Sequence, residues 1–286
     1  PKSILGEIKQ LQEKYNTNYI DFWDDLSFAS AIQVEKFCDA IIESGLKFKW
    51  MVTIRVDLFS RSNLSDEESL RIAKKMKQCG CYSCGFALES GNHEIMKMMN
   101  KKIEVSAFYD TVYTLKKAGV ICQISVIFGY PIETKETIKE TFDQCLKAGT
   151  YPSIGFLMPL PYTVMYDYAK VNGFITDEDK FLESITERQD ICMNMTKMSD
   201  EEIMNEIKIG AAKLNEMLDV GLTEETYIKS KGYKSQRIKK KLESPLEINT
   251  SSEDELKRPR LDPKKIKRIR NDVTFNYSKT DFKFEE

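Results

Sequence analysis

Residues 80–91, GCYSCGFALESG, and residues 121–131, ICQISVIFGYP, decide the fold of this 286-residue chain. Each begins with a run of aromatic, β-branched and small residues and ends in glycine and polar residues, which is typical of a buried strand that enters a loop. The residues between them carry apolar side chains at helical spacing. A strand, a helix and a second strand in this order predict parallel strands joined by a crossover helix.

The same alternation extends to both sides of these two segments. We predict five strands, whose starts lie 31, 33, 39 and 32 residues apart, at Asn18–Asp24, Lys49–Val56, Tyr82–Leu88, Ile121–Phe128 and Ser153–Met158. Between and around them we predict helices near 2–15, 31–44, 66–79, 104–118, 135–148, 164–172 and 200–219. Because right-handed crossovers of this length close naturally into a full or partial barrel, the predicted fold class is α/β, a partial (β/α) barrel of the TIM type.

Local signals mark where the helices begin and end. Ser65-Asp66-Glu67-Glu68 and Ser199-Asp200-Glu201-Glu202 have the pattern of capping boxes, in which the serine and the second glutamate satisfy backbone N–H groups. A glycine that can adopt positive φ follows most helices. These glycines are Gly45, Gly80, Gly119, Gly149, Gly173 and Gly221.

Charge divides the chain into an acidic body and a basic tail. Residues 229–270 hold 15 Lys and Arg against 6 Asp and Glu, whereas residues 1–228 hold 26 against 35. The tail has too few regularly spaced apolar residues to offset the entropy of ordering it. We therefore predict a barrel over 1–175, a C-terminal helical extension over 176–228 and a basic, disordered tail over 229–286. Basic clusters of this kind can bind nucleic acid, act as a nuclear address or contact anionic lipid; the alternative is a solvated segment without a partner.

Composition removes several classes of protein. The chain has no run of the ~18–20 apolar residues that a membrane span needs, and no signal-peptide layout at its start. The seven cysteines are odd in number and lie mostly in apolar or helical patterns, which favours a reducing compartment, so we predict a cytoplasmic protein. A single histidine, His93, excludes a His-rich zinc site within this chain.

Polar residues and glycines follow the predicted strands. They are Asp24 and Asp25, Arg55 and Asp57, Glu89-Ser90-Gly91, Gly129 to Thr134, and Pro159-Leu160-Pro161. Because the carboxyl ends of parallel strands share one edge of a barrel, these residues predict a cleft for a small polar ligand. Residues of these types also cap the helices that follow strands, so a structural role is the alternative for any one of them.

These strand-end blocks, taken in order, resemble those of radical S-adenosylmethionine (radical SAM) enzymes, over roughly residues 1–220. The resemblance is closest to the subgroup whose members often carry a cobalamin-binding domain. The blocks that carry it are IDFWDDLSF (20–28), TIRVD (53–57), GCYSCGFALESG (80–91), MMNK (98–101), FGYPIET (128–134) and PLPYT (159–163).

The resemblance implies a fold, cofactors and partners. Members have a partial (β/α)6 barrel that holds a 4Fe-4S cluster through a CxxxCxxC loop after the first strand. Reductive cleavage of S-adenosylmethionine then gives a 5′-deoxyadenosyl radical, which serves radical methylation, rearrangement or other C–H functionalisation. It further implies an electron donor such as a flavodoxin or ferredoxin, a small-molecule or lipid-like substrate, and in the subgroup cobalamin.

The chain departs from the family in one decisive respect, since it contains no CxxxCxxC. By the order of the blocks, its first predicted strand matches the second strand of the family. We therefore expect the cluster cysteines upstream of Pro1, and we expect the chain as given to be a fragment that is inactive without them.

The resemblance also implies roles for residues in the first half of the chain. Glu89 and Ser90 would contact the ribose or the amino-acid part of S-adenosylmethionine. Asp24 and Asp25 would accept hydrogen bonds from its methionyl ammonium group. Arg55 would pair with a carboxylate of the cofactor or of the substrate; the alternative for Arg55 is an internal salt bridge to Asp57 or Glu89.

In the next block, Gly129 would let the backbone approach the adenine or sulfonium of the cofactor, and Glu133 would cap the helix that follows. Ile132 and Tyr162 stand where family blocks commonly have glycine. If those glycines provide positive φ, we expect the two loops to have different shapes here.

Cys79, Cys81 and Cys84 form a C-x-C-x-x-C pattern that could suggest a metal or cluster site. Cys79 closes a predicted helix, with Gly80 as its C-cap, and Cys84 lies within a predicted strand. We therefore expect the three sulfurs to point apart and the cysteines to be structural.

Two other functions remain open from the sequence. The first is a (β/α)-barrel enzyme that binds an anionic small molecule without iron. The second is a catalytically inactive barrel that acts as a nucleic-acid or protein interaction module through its basic tail.

Overall fold

The computed structural model describes residues 1–185 and 190–228. The predicted basic tail, 229–286, lies outside the described residues. The described residues form two compact units, residues 1–126 with 140–153, and residues 127–139 with the described part of 154–228. Among the helices of the described residues, none combines the length and the apolar composition that a membrane span requires.

Five strands alternate with helices along the chain. The strands are β1 (Tyr19–Asp21), β2 (Lys49–Thr53), β3 (Cys81–Glu89), β4 (Ile121–Phe128) and β5 (Pro152–Phe156). The α-helices are α1 (Lys2–Tyr15), α2 (Ala31–Ser44), α3 (Asp66–Gln78), α4 (His93–Met98), α5 (Val105–Lys117), α6 (Lys135–Lys147), α7 (Val164–Val171), α8 (Glu178–Ser184) and α9 (Asp200–Met217).

The sheet confirms the predicted fold class. Its strand order is β1-β2-β3-β4-β5, the order of the chain, and the first four strands pair in parallel. Register partners include Tyr19 with Lys49, Thr53 with Gly85, and Ala87 with Ser125. A parallel sheet in chain order with a helix between neighbouring strands is the arrangement of a partial (β/α) barrel.

One face of the sheet in the first unit packs against helices. Trp50 and Val52 of β2 are almost fully buried on this face, whereas Met51 and Thr53, which point the other way, are only half-buried. Phe37 of α2 packs edge-on against Trp50, with ring centroids 5.7 Å apart. Burying each such side chain contributes about 1.5–3 kcal/mol, so the helix-covered face holds the core.

Most predicted boundaries are confirmed, and the differences are local. Both capping boxes are present, and all six glycines predicted to follow helices have positive φ. β1 ends at Asp21 rather than Asp24, because the chain then leaves β2 and returns to it at Ser27 and Phe28, the second of which forms a bridge to Ile54. The short helices α4 and α8 were not predicted as helices.

Candidate functional site

The face of the sheet opposite the helices is lined by small and polar side chains. Thr53 on β2, Gly85 and Ala87 on β3 and Ser125 on β4 are paired in register or diagonal neighbours, and all are half-buried. Small residues at these positions leave space above the strands. This open face leads to the carboxyl ends, where the predicted site residues lie.

At the end of β1 the structure points to Asp21, a residue that the sequence reasoning missed. Asp21 pairs in register with Met51 and so lies on the open face. Its Oδ2 accepts a hydrogen bond of 2.9 Å from Trp23 Nε1. Its Oδ1 is buried and has no hydrogen-bond partner among the described residues. A buried carboxylate oxygen without a partner is costly, which indicates a position for a ligand donor.

Asp24 and Asp25, which were predicted as acceptors, lie exposed in the loop after β1. Backbone bonds hold the loop beside β2 at both ends, from Phe22 N to Met51 O and from Ser27 N to Thr53 O, each 3.1 Å. The side-chain Oγ of Ser27 is a second buried polar atom without a partner in the described part of the chain. Strand alternation around Asp21 is the sequence signal that could have found the inward-facing carboxylate.

Arg55 is held by the internal ion pair that was the alternative for this residue. Its Nε lies 2.7 Å from Asp57 Oδ1 and its Nη2 2.9 Å from Asp57 Oδ2. Burial raises the pKa of Asp57, but the hydrogen bonds and charge of Arg55 outweigh it, and the net pKa is lowered. The pair is therefore charged on both sides, and Arg55 keeps only its remaining N–H groups for a ligand.

Glu89 ends β3 in a left-handed conformation, with φ of +66°. The strand has an irregularity here, because the pairing with β4 shifts between Ala87 and Glu89. Glu89 Oε1 accepts a hydrogen bond of 2.7 Å from Lys101 Nζ. Lys101 belongs to the MMNK block but had no predicted role. Strain of this kind in a residue other than glycine clusters at functional sites, so the Glu89–Lys101 pair is the centre of the candidate site.

Ser90 and Gly91 pack against α6. Ser90 is 1% exposed, and its Oγ accepts from Asn92 N at 3.1 Å and lies 3.4 Å from Thr141 Oγ1. Gly91 donates its N–H to Thr141 Oγ1 at 2.9 Å, and a Cβ at Gly91 would lie 2.7 Å from Thr141 Cα. The Ser90 hydroxyl, predicted to contact a cofactor, is therefore already engaged within the protein.

In the second unit, Glu133 folds back onto the turn that precedes it. Gly129, with φ of +99°, donates its N–H to Glu133 Oε2 at 3.3 Å, and the Thr137 hydroxyl donates to Oε1. Glu133 is 2% exposed, and burial raises the pKa of its carboxyl to about 7. Thr134 caps α6 by accepting from Thr137 N at 3.3 Å. The prediction that Glu133 caps the helix is therefore wrong, because Thr134 is the cap and Glu133 instead closes the turn from Gly129.

Tyr162 keeps the backbone conformation that a glycine would provide. Its φ is +66° and its side chain is fully exposed, so the expectation of a differently shaped loop is wrong at this position. Ile132 is not among the described residues with positive φ.

We expect Tyr162→Gly to stabilise the protein by about 1 kcal/mol. Glycine removes the free-energy cost of the left-handed conformation. This gain exceeds the loss from the greater conformational entropy that glycine gives the unfolded chain, and no buried contact is lost. The thermal unfolding midpoint measures the change. Tyr162→Phe retains the strain and should leave the midpoint unchanged, whereas a lower midpoint for Tyr162→Gly would contradict this explanation.

The cysteine pattern is partly different from expectation. Cys79, Cys81 and Cys84 are buried, as predicted, but Cys81 Sγ and Cys84 Sγ lie 3.8 Å apart, so these two sulfurs do not point apart. Within the described ranges, no group of three or more His, Cys, Asp or Glu residues could hold a metal ion. The described residues therefore do not fit a 4Fe-4S cluster. At the carboxyl ends of the strands, the groups open to a ligand are the unused Oδ1 of Asp21 on β1 and the Glu89–Lys101 pair at the end of β3.

Comparison of the sequence with known proteins identifies its family. The sequence profile described as the Radical SAM superfamily matches residues 3–145. An uncharacterized methyltransferase of Pyrococcus horikoshii is 28% identical over 173 residues, covering 60% of this chain and 36% of that protein. An anaerobic magnesium-protoporphyrin IX monomethyl ester cyclase of Cereibacter sphaeroides is 24% identical over 189 residues, covering 62% and 30%. The chain thus spans about a third of the length of these curated relatives.

Solved structures give similar matches. The radical S-adenosylmethionine methyltransferase TsrM from Kitasatospora setae is 14% identical, with a TM-score of 0.47, over 61% of this chain and 34% of that one. The cobalamin-dependent S-adenosylmethionine radical enzyme OxsB is 16% identical, with a TM-score of 0.45, over 63% of this chain and 25% of that one.

Proposed function

Because the chain belongs to the Radical SAM superfamily, we propose that it binds S-adenosylmethionine at the carboxyl ends of its strands and serves a radical methylation, rearrangement or other C–H functionalisation. The observation that carries the proposal is the Glu89–Lys101 ion pair in a strained strand end. The buried, unpartnered Oδ1 of Asp21 at the end of β1 supports it.

The three residues offer complementary chemistry. Asp21 Oδ1 would accept a hydrogen bond from the ammonium group of the ligand, which satisfies an oxygen that is otherwise buried without a donor. Lys101 fixes the Glu89 carboxylate by one contact and leaves further N–H donors for the ligand carboxylate. Glu89 retains an oxygen for the vicinal hydroxyls of the ribose. When bound, S-adenosylmethionine supplies the 5′-deoxyadenosyl group used in the radical chemistry of the family.

Other parts of the activity extend this proposal. The resemblance of the strand-end blocks supports three further components. They are a reduced 4Fe-4S cluster held outside the described residues, an electron donor such as a flavodoxin or ferredoxin, and cobalamin. The substrate is a small or lipid-like molecule. That the chain alone is inactive stays a prediction.

Calorimetric titration of S-adenosylmethionine into the chain tests the binding site. We expect Lys101→Met to weaken binding about tenfold or more, because a hydrogen bond to a charged group contributes about 1.5–3 kcal/mol and Glu89 loses its partner. Lys102 is the exposed neighbour on the same loop, so Lys102→Met is the matched control and should bind as the wild type does.

Equal weakening by both variants would indicate a general effect of positive charge instead of a site at Lys101. Absence of binding to the wild-type chain would contradict the proposal itself.

A further inference from the structure

Ser27 carries a buried hydroxyl that has no role in the proposed function. Its Oγ has no hydrogen-bond partner among the described residues, and Asp21 Oδ1 is in the same position at the other end of the loop after β1. A buried polar atom without a partner is rare in folded proteins, because it loses the hydrogen bonds that water would make with it. Two such atoms at the two ends of one short loop therefore point to a ligand that both of them contact.

The aromatic residues beside Asp21 and Ser27 show which way these two side chains point. Phe22 follows Asp21 and packs edge-on against Phe37 of α2, with ring centroids 5.7 Å apart. Phe28 follows Ser27 and lies 5.6 Å from the same ring. Both phenylalanines thus face the helices. Because neighbouring side chains of an extended chain point to opposite sides, Asp21 and Ser27 face the open side of the sheet.

The two side chains are also spaced to contact one small group. The Phe22 N–H donates to Met51 O at 3.1 Å. The Ser27 N–H donates to Thr53 O at the same distance of 3.1 Å. These carbonyls are two residues apart on β2, so the anchors of the loop lie roughly 7 Å apart along the strand. An ammonium and a carboxylate on one carbon atom, each about 2.8 Å from its partner, span a similar distance.

We propose that the Ser27 hydroxyl donates a hydrogen bond to the carboxylate of a bound S-adenosylmethionine whose ammonium group is held by Asp21. The inference rests on the proposed function, which supplies the ligand, and it adds a binding residue. The two side chains are complementary to this ligand, since a carboxylate accepts from an ammonium and a hydroxyl can donate to a carboxylate. The ligand carboxylate has two oxygens, so it can accept from both Ser27 and Lys101.

Calorimetric titration with two ligands tests which group Ser27 contacts. The ligands are S-adenosylmethionine and its decarboxylated form, which keeps the ammonium, the sulfonium and the nucleoside but has no carboxylate. We expect Ser27→Ala to weaken the binding of S-adenosylmethionine about tenfold, because a hydrogen bond to a charged group is lost. The same variant should bind the decarboxylated ligand as the wild type does.

Thermal unfolding of the ligand-free chain distinguishes a ligand contact from a structural role. Ser27→Ala removes no side-chain hydrogen bond found among the described residues, so it should not lower the unfolding midpoint. Ser44→Ala is the matched control, because the Ser44 hydroxyl donates to Ile41 O at 2.8 Å and accepts from Leu46 N at 3.2 Å. The control should lower the midpoint and leave the affinity for S-adenosylmethionine unchanged.

Three results would overturn the inference while the proposed function stands. One is a Ser27→Ala variant that binds S-adenosylmethionine as tightly as the wild type. Another is equal weakening for both ligands, since Ser27 would then contact a different part of the molecule. The third is a midpoint lowered as far as that of Ser44→Ala, which would assign the hydroxyl to a contact within the protein. A wild-type chain that does not bind S-adenosylmethionine would instead contradict the proposed function, and the inference with it.

Discussion

Gly80→Ala is expected to destabilise the protein by about 2–5 kcal/mol. Gly80 has φ of +98°, and a Cβ built on it would lie 2.0 Å from the carbonyl oxygen of Phe48 and 3.2 Å from its carbonyl carbon. The obstacle is backbone, which cannot rotate away as a side chain can. Gly80 O also accepts from Trp50 N at 3.0 Å, so a shift that relieves the clash disturbs the pairing of β2 with β3.

Alanine variants of two other glycines distinguish the cost of the clash from the cost of the left-handed backbone conformation. Gly45 follows α2 with φ of +70° and nothing within 4 Å of a Cβ, so Gly45→Ala should cost only the left-handed strain of about 1–2 kcal/mol. Gly6 lies within α1, also in open space, so Gly6→Ala should stabilise the helix by about 0.5–1 kcal/mol. Urea unfolding, monitored by circular dichroism, measures the stability change of all three variants. A Gly80→Ala cost no greater than that of Gly45→Ala would mean that the Phe48 contact relaxes freely.

Gly80 also illustrates what local signals can and cannot predict. The sequence predicts a glycine with positive φ after α3, and the structure has one. The cap itself is Cys79, and the close approach to Phe48 arises from the neighbouring strand, 32 residues earlier in the chain. A helix-end pattern has no information about such a contact, because it depends on how two elements pack.

The fold could be predicted for elements with a clear hydrophobic periodicity and enough residues to show it. β4 was predicted with the bounds that it has, because eight residues of alternating and β-rich sequence are bounded by glycine and helix signals. α4 and α8 have six and seven residues, too few to show helical periodicity, and they were not predicted.

The site was predictable in position but not in detail. Parallel topology alone places Arg55 and Glu89 at strand ends. Tertiary contacts decide which polar groups already have a partner within the protein. Asp57 forms an ion pair with Arg55, and Thr141 and Asn92 form hydrogen bonds with the Ser90 hydroxyl. Lys101 reaches Glu89 only because α4 and the turn after it return the chain to the end of β3. No pattern in one sequence encodes that return.

Glu133→Gln is expected to make the protein more stable than the wild type at about pH 8, by about 3 kcal/mol. The carboxyl is 2% exposed and its folded-state pKa is raised to about 7 from an ordinary 4.5, chiefly by burial. Its hydrogen-bond partners, the backbone N–H groups of Gly129 and Tyr130 and the Thr137 hydroxyl, carry no charge. Glutamine keeps one carbonyl oxygen for the backbone N–H, the Thr137 hydroxyl can donate to Thr134 O at 3.0 Å and accept from the new amide, and no charge is buried.

The pH dependence follows from the raised pKa. Below about pH 4.5 the carboxyl is protonated in both the folded and the unfolded state, and its contribution to stability is fully present. Between about pH 4.5 and pH 7 the unfolded chain releases a proton that the folded protein retains, so stability falls as the pH rises. Above about pH 7 both states are ionised and the loss is complete. Glu133→Gln should remove this part of the pH dependence.

Urea unfolding at several pH values gives the difference in unfolding free energy between variant and wild type. This difference separates the contribution of the Glu133 carboxyl from those of all other titrating residues. Glu136, on the first turn of the same helix, is the matched control. Backbone hydrogen bonding at the helix start and the Thr134 hydroxyl lower the pKa of this fully exposed carboxyl, so its effect has the opposite sign. Glu136→Gln should therefore lose stability as the pH rises above the pKa of the carboxyl, while Glu133→Gln gains it relative to wild type. If the Glu133→Gln difference stayed constant from about pH 5 to about pH 8, Glu133 would be ionised throughout that range in the folded protein, and burial would not control its protonation.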